Sequence, residues 1–286
     1  MVKKTGENME NHSIKNELVT CFEKCAFKQG QSFRARVTQI YDPSKFWMVV
    51  KYRELEVFQK CIFKYYYMNR KKYQIPKDKL VMDLYCAVFT DGGFYRGVIT
   101  GFPATHQKDQ QAQIYFIDYG IVKVVEMNDI YFLSDKFCQV PHFAVRASLA
   151  GVCPRTKSQW TCDDVFEFHQ LVDNKVLMGV IVNIDANRQV LEVHLSEDKH
   201  GVSTVPVHKL LISQKRARFF HDKEDISDKG LLQPKLKYSY LFPSHEAIES
   251  GKVPTNISDA EYQIQFAWVS SVVARYYKIR ETNGDC

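Results

Sequence analysis

Three stretches of this sequence carry side chains capable of chemistry. The first is "IYFIDYG" at 114–120, where two rings, Phe116 and Tyr119, bracket an acid, Asp118, as an alternating run ends. Period-2 geometry puts Ile114, Phe116 and Asp118 on one face of a strand and Tyr115 and Ile117 on the other, while Gly120 permits a turn. A carboxylate sharing a face with a phenyl ring needs a partner. The second stretch is "RARVTQIYDPS", whose Arg34, Arg36 and Asp42 are the residue types of a metal-dependent nuclease. That chemistry needs clustered carboxylates for the metal and arginines at the phosphate. No second and third acid stands at a suitable spacing in "VLEVHLSED", so the sequence argues against catalysis. The third group comprises "NRKKY" at 69–73 and "QKRARFF" at 214–220, basic stretches flanked by rings. Such residues suit single-stranded RNA, and equally an ordinary solvated face.

The frame for these residues is a 286-residue chain with 45% apolar residues, enough for one large core or two ordinary ones. A net charge of +6, from 39 basic against 33 acidic residues, permits an acidic partner without demanding one. No apolar run is long enough to span a bilayer, and the opening "MVKKTGENMENHSIKN" lacks the apolar core of a signal peptide. The expectation is a chain of the cytosol or nucleus with no membrane partner. Its eight cysteines form no C-x-x-C pair, and Cys21 and Cys25, the closest two, have no matching His or Cys pair for zinc. No metal and no cofactor are expected, and the thiols should stay reduced.

Residues 1–30 read as a flexible N-terminal segment. "SFRARVTQIYDPSKFWMVV" alternates, breaks at Asp-Pro-Ser-Lys and resumes, which predicts a hairpin within 31–53. From Glu54 to Tyr73, Leu55, Phe58, Ile62, Tyr65 and Tyr66 recur at three- and four-residue steps, predicting an amphipathic linker helix within 54–80 that Pro76 ends. Four short strands around "DGG", "IDYG" and "IVKVVEM" then predict a small barrel at 81–140. Over 141–213 come a strand in "FAVRASLAGVCP", a helix with Ser158 as its N-cap and Trp160, Val165, Phe168 and Leu171 inward, a hairpin around "DANR", and "VSTVPVHKLL" as a candidate closing strand. The 31–53 strands lack a complete sheet until these later elements arrive. The fold class is therefore mainly β with helices: a barrel inserted in a split OB-like fold and joined to it by a long helix. The extension at 214–286 has no clear period.

In the order "RARVTQIYDPSKFWMVV", linking helix, "CAVFTDGGFYRGVI", "IYFIDYG" and "RASLAGVCPRTKSQWTCDDVFEF", the chain resembles the extended Tudor domains of germline small-RNA silencing proteins over roughly Gln31 to Ser213. The resemblance implies a Tudor barrel joined through the helix to a staphylococcal-nuclease-like OB fold. It implies a non-catalytic module that binds arginine, methylated or plain, in the disordered tail of a Piwi-clade Argonaute. It also implies a cytoplasmic home, in perinuclear germline granules.

By that resemblance Phe89, Tyr95, Phe116 and Tyr119 form an aromatic cage, and a three-residue glycine turn would set Phe89 opposite Tyr95. Four rings around a guanidinium supply cation–π contact of roughly 0.5–1 kcal/mol each when exposed. Arg96 would pair with Asp118 as a structural anchor. The family pattern "DYGN" departs here to "DYGI": Ile121 neither donates nor accepts, and a hydrogen bond lost to a charged ligand forfeits about 1.5–3 kcal/mol. Single-stranded RNA is the alternative ligand.

Overall fold

The computed structural model describes residues 18–103, 110–155, 160–199, 202–219 and 244–250. After a short helix, α1 (Cys21–Cys25), the chain forms the hairpin β1 (Ser32–Asp42) and β2 (Lys45–Val49). The Asp42 carboxylate accepts from Ser44 N at 2.6 Å to close the turn, and β2 is buried along its whole length. Asp42 itself is 2% exposed beside Lys45, 3.9 Å away, which places the acid inside the hairpin corner.

Helix α2 (Tyr52–Tyr73) follows and carries the chain to β3 (Tyr85–Thr90), β4 (Gly93–Gly101), β5 (Gln111–Phe116), β6 (Ile121–Glu126) and β7 (Ile130–Phe132). These five strands form one antiparallel sheet in the order β6-β5-β4-β3-β7. Five strands stand where the sequence pattern predicts four, because three-residue β7 is too short to show a period. The inner face of the curved sheet closes on Cys86, Val88, Ile99, Ile114, Phe116, Val125 and Ile130. Its outer face, with Ala87, Phe94 and Tyr131, receives Ile62 and Tyr66 from α2. Tyr66 is polar yet buried, and its hydroxyl is satisfied: it donates to the Phe132 carbonyl at 2.7 Å and accepts from Ser134 N at 2.9 Å.

Beyond a one-turn helix, α3 (Asp135–Cys138), the chain returns as β8 (Ala144–Leu149) and β9 (Val152–Pro154), helix α4 (Cys162–Val172), and the hairpin β10 (Leu177–Asp185) and β11 (Val190–Lys199). β1 pairs with both β2 and β10, β2 with β8, β8 in parallel with β11, and β11 with β10, so these five strands close a barrel of OB topology. The first hairpin and the late strands thus share one sheet, with the β3–β7 barrel inserted between them. Phe46, Val165, Phe168, Leu177 and Leu191 are among its core residues.

α4 begins at Thr161, in a reciprocal capping box with Asp164; Ser158, the expected N-cap, lies outside the described residues. "VSTVPVHKLL" does not form a closing strand. It supplies two-residue β12 (Val202–Ser203) on the edge of β11 and then α5 (Val207–Ser213), since Pro206 is pre-set for a helix start and removes a ladder donor. β13 (Ala217–Phe219) pairs with β9, and α6 (His245–Ser250) closes the described chain.

Candidate functional site

The site is shaped first by the β3–β4 turn. Asp91 and Gly92 both have positive φ, 48° and 73°, the signature of a two-residue type I′ turn that Asp-Gly favours. Thr90 pairs with Gly93, Phe89 with Phe94, and Val88 with Tyr95. A three-residue turn would have set Phe89 opposite Tyr95; the shorter turn puts the two rings on opposite faces of the sheet. Phe89 lies on the outer face, its ring 4.9 Å from that of Phe94, with the Arg70 guanidinium 4.7 Å above it. It is therefore not a wall of the cage.

The other three rings do meet. Tyr95 stands edge-on to Phe116 at 6.1 Å and to Tyr119 at 5.6 Å. Phe116 is 3% exposed and belongs to the inner barrel core, so it supports Tyr95 from below. Ile121, paired with Phe116 across the β5–β6 hairpin, packs on the same core. Burial, followed by Asp118, Tyr95 and Glu56, raises the Tyr119 pKa; burial and Asp91 raise that of Tyr95. Both phenols therefore present neutral rings and hydroxyls at physiological pH.

Tyr95 and Tyr119 open onto a groove of about 600 Å³ between the inserted barrel, α2 and the OB fold. α2 supplies Tyr52, Glu56, Gln59 and Phe63; the OB fold supplies Arg36, Thr38 and Val49. Thr38 donates to the Tyr119 carbonyl at 2.8 Å, which ties the ring-bearing turn to β1. Two carboxylates stand on the rim: Glu56, paired with Arg36 at 2.7 Å, and Asp91, paired with Lys123 at 2.6 Å. Both pairs are exposed, so each exchanges readily with a competing cation. The arrangement offers an apolar, ring-lined slot for a flat cation, with carboxylates above it.

Asp118 does not share a face with Phe116, because β5 ends at Phe116 and the next four residues turn. The acid swings instead to Arg96, in a bidentate pair of 2.9 and 2.6 Å with both side chains buried. The remaining guanidinium hydrogens go to the carbonyls of Phe137, Val140 and Pro141, and Asp118 also accepts from Phe143 N. Every donor of the fork is used. The pair clamps the barrel to the segment leading back into the OB fold and sits behind the groove.

Sequence reasoning missed a second tie between the two barrels. From α6, Glu249 accepts from Trp47 Nε1 at 2.8 Å, from the Tyr115 hydroxyl at 3.0 Å and from Arg146 Nε at 2.9 Å. Ile248 is fully buried with Tyr41 and Trp47. The available signal was Ser244, whose hydroxyl accepts from Ala247 N at 3.1 Å as a helix start. The basic stretch "NRKKY" occupies the last turn of α2, where Arg70 is drawn to Tyr131 and Asp129. Among the described residues, no group of three or more His, Cys, Asp or Glu could hold a metal ion.

A closed OB barrel, a bridging helix and an inserted five-stranded barrel define the extended Tudor fold. Residues 27–151 match the Tudor domain family. The chain is 26% identical over 208 residues to human Tudor domain-containing protein 6, covering 70% of this chain and 9% of that protein. It is 25% identical over 133 residues to mouse RING finger protein 17, covering 46% and 8%. The chain thus spans a small part of the length of these relatives. Among solved structures, the third extended Tudor domain of mouse TDRD1, in complex with a MILI peptide containing dimethylarginine, matches with a TM-score of 0.61 at 18% identity, over 72% of this chain and all of that one. A single-residue alanine variant of the Drosophila melanogaster Papi extended Tudor domain, in complex with an unmethylated N-terminal Piwi peptide, matches with a TM-score of 0.59 at 20% identity, over 66% of this chain and all of that one.

Proposed function

We propose that this chain is a non-catalytic peptide-binding module whose groove takes an arginine from an extended, disordered segment, of the kind carried by the N-terminal tail of a Piwi-clade Argonaute, in a cytoplasmic germline granule. The observation that carries this reading is the pair Tyr95 and Tyr119, open to a groove between two barrels and rimmed by Glu56 and Asp91. Solved domains of the same fold in complex with methylated and unmethylated peptides support it. Two features shift the preference away from dimethylarginine. Phe89 is turned out of the site, which removes a wall that methyl groups would touch. Ile121 offers no hydrogen bond to a methylated guanidinium, whereas the rim carboxylates suit a plain one with all its donors.

Calorimetry with matched Arg-Gly peptides, plain and symmetrically dimethylated, tests the reading. The expected result is a difference of less than about tenfold between the two peptides. Tyr119→Ala should weaken both by about 1–2 kcal/mol through loss of a cation–π surface. Ile121→Asn should strengthen the dimethylated peptide alone. If Tyr119→Ala leaves affinity unchanged, the rings are barrel filler and the proposal fails.

A further inference from the structure

The outward face of α2 carries Lys60, Phe63, Lys64, Tyr67 and Lys71, at steps of three and four residues and all exposed. Such spacing gathers them in one stripe, roughly 16 Å long at 1.5 Å per residue. The rings of Phe63 and Tyr67 stack on each other at 5.7 Å and 23°, although Tyr67 is 69% exposed. Met68 beside them is 75% exposed. Among the described residues none of these three lysines has an ion-pair partner, and no acid occurs in the sequence between Val57 and Lys77. The face is thus strongly basic, with a preformed aromatic stack at its centre.

We propose that this stripe binds single-stranded RNA without sequence preference, a base stacking on Tyr67 and Phe63 while Lys60, Lys64 and Lys71 hold the phosphates. Charge complementarity selects an anionic partner, and the stack selects among anions. An acidic peptide would use the lysines and leave the rings idle, whereas every base has a π-face that an exposed ring can cover. A duplex keeps its bases paired and stacked inside, so it too would leave the rings unused. The stripe adjoins the groove of Tyr95 and Tyr119, which Lys60 and Phe63 also line, while Tyr67, Lys64 and Lys71 lie outside that lining, so base stacking on Tyr67 does not depend on arginine binding.

Fluorescence anisotropy on the 286-residue chain with labelled oligouridylate and oligoadenylate of about a dozen nucleotides provides the test. Both should bind, with a log–log salt slope near −2, the value for about three phosphate contacts on a single strand. Tyr67→Ala should weaken binding on the order of tenfold, and Tyr67→Phe should retain it. Lys64→Gln with Lys71→Gln should flatten the slope by about 1.4. Tyr119→Ala should leave RNA affinity unchanged. All of these α2 side chains are exposed, so circular dichroism should show the variants folded. Wild-type RNA affinity in both Tyr67→Ala and the double lysine variant would overturn the proposal. So would tighter binding to duplex RNA, to oligoglutamate, or to phosphatidylcholine vesicles containing a quarter phosphatidylserine.

Discussion

Trp47 lies directly beneath Gly120: a Cβ on that glycine would fall 2.2 Å from the indole Cγ. The turn that carries Tyr119 therefore rests on β2 of the OB fold, and Trp47 is itself tied to Glu249 in α6. The position of a groove-facing ring is set by a domain other than the one that supplies it. Gly120 also has φ of +76°, a region costly to any residue with a side chain.

Gly120→Ala should accordingly lose about 2–4 kcal/mol of unfolding free energy, from left-handed strain together with overpacking. Denaturant titration would check this, with an unchanged midpoint counting against close contact between the two barrels.

Gly93→Ala should behave differently. Its Cβ would meet only the tip of the Tyr95 ring, 2.9 Å from Cε2 and Oη, and no positive φ is involved. The phenol must move, so arginine-peptide affinity should fall severalfold while the unfolding midpoint changes little. Calorimetry and thermal melts on the same sample separate the two effects.

Acid should destabilise the fold through His142. Burial outweighs the opposing Asp118 carboxylate and, with Arg96 adding to it, pushes its pKa down to about 4, and its Nε2 has no hydrogen-bond partner among the described residues. The unfolded chain takes up this proton near pH 6.5 and the folded chain does not. Stability from this group is thus fully present above pH 6.5 and lost as pH falls toward 4, by about 3 kcal/mol. His245 adds in the same direction, since burial, Arg146 and Lys45 all lower its pKa. Replacing His142 by Phe should remove one proton's worth of slope from a plot of unfolding free energy against pH between 4 and 6.5.

What was legible in the sequence follows from what leaves a period. The alternations of β1, β10 and β11 and the apolar stripe of α2 are visible because each buries one face, while β2 reads as a short apolar run because it is buried along its whole length, and the separation of these strands along the chain shows that one barrel interrupts another. β7 spans three residues and α6 six, too few for any pattern to rise above chance. Alternation also misled at Asp118: it continues in the letters past Phe116, while the backbone has already turned toward Arg96. At the site, residue types were readable but faces were not. Whether Phe89 joins Tyr95 depends on whether "DGG" makes a two- or three-residue turn, and that one-residue difference inverts the face of every side chain on one strand.

The same turn constrains how such a site can evolve. Phe89 is held outward by Phe94 and Arg70, while Cys86 and Val88 hold the alternate positions of β3 in the inner core, so a slip in register is opposed from both sides. Changes at Phe89 fall on the helix interface and not on the groove. The residue of β3 that shares a face with Val88 and Tyr95 next to the turn is Thr90. On the proposed reading, a further wall for a methylated guanidinium would be built at position 90, on the face of Tyr95, and not at position 89, which faces α2.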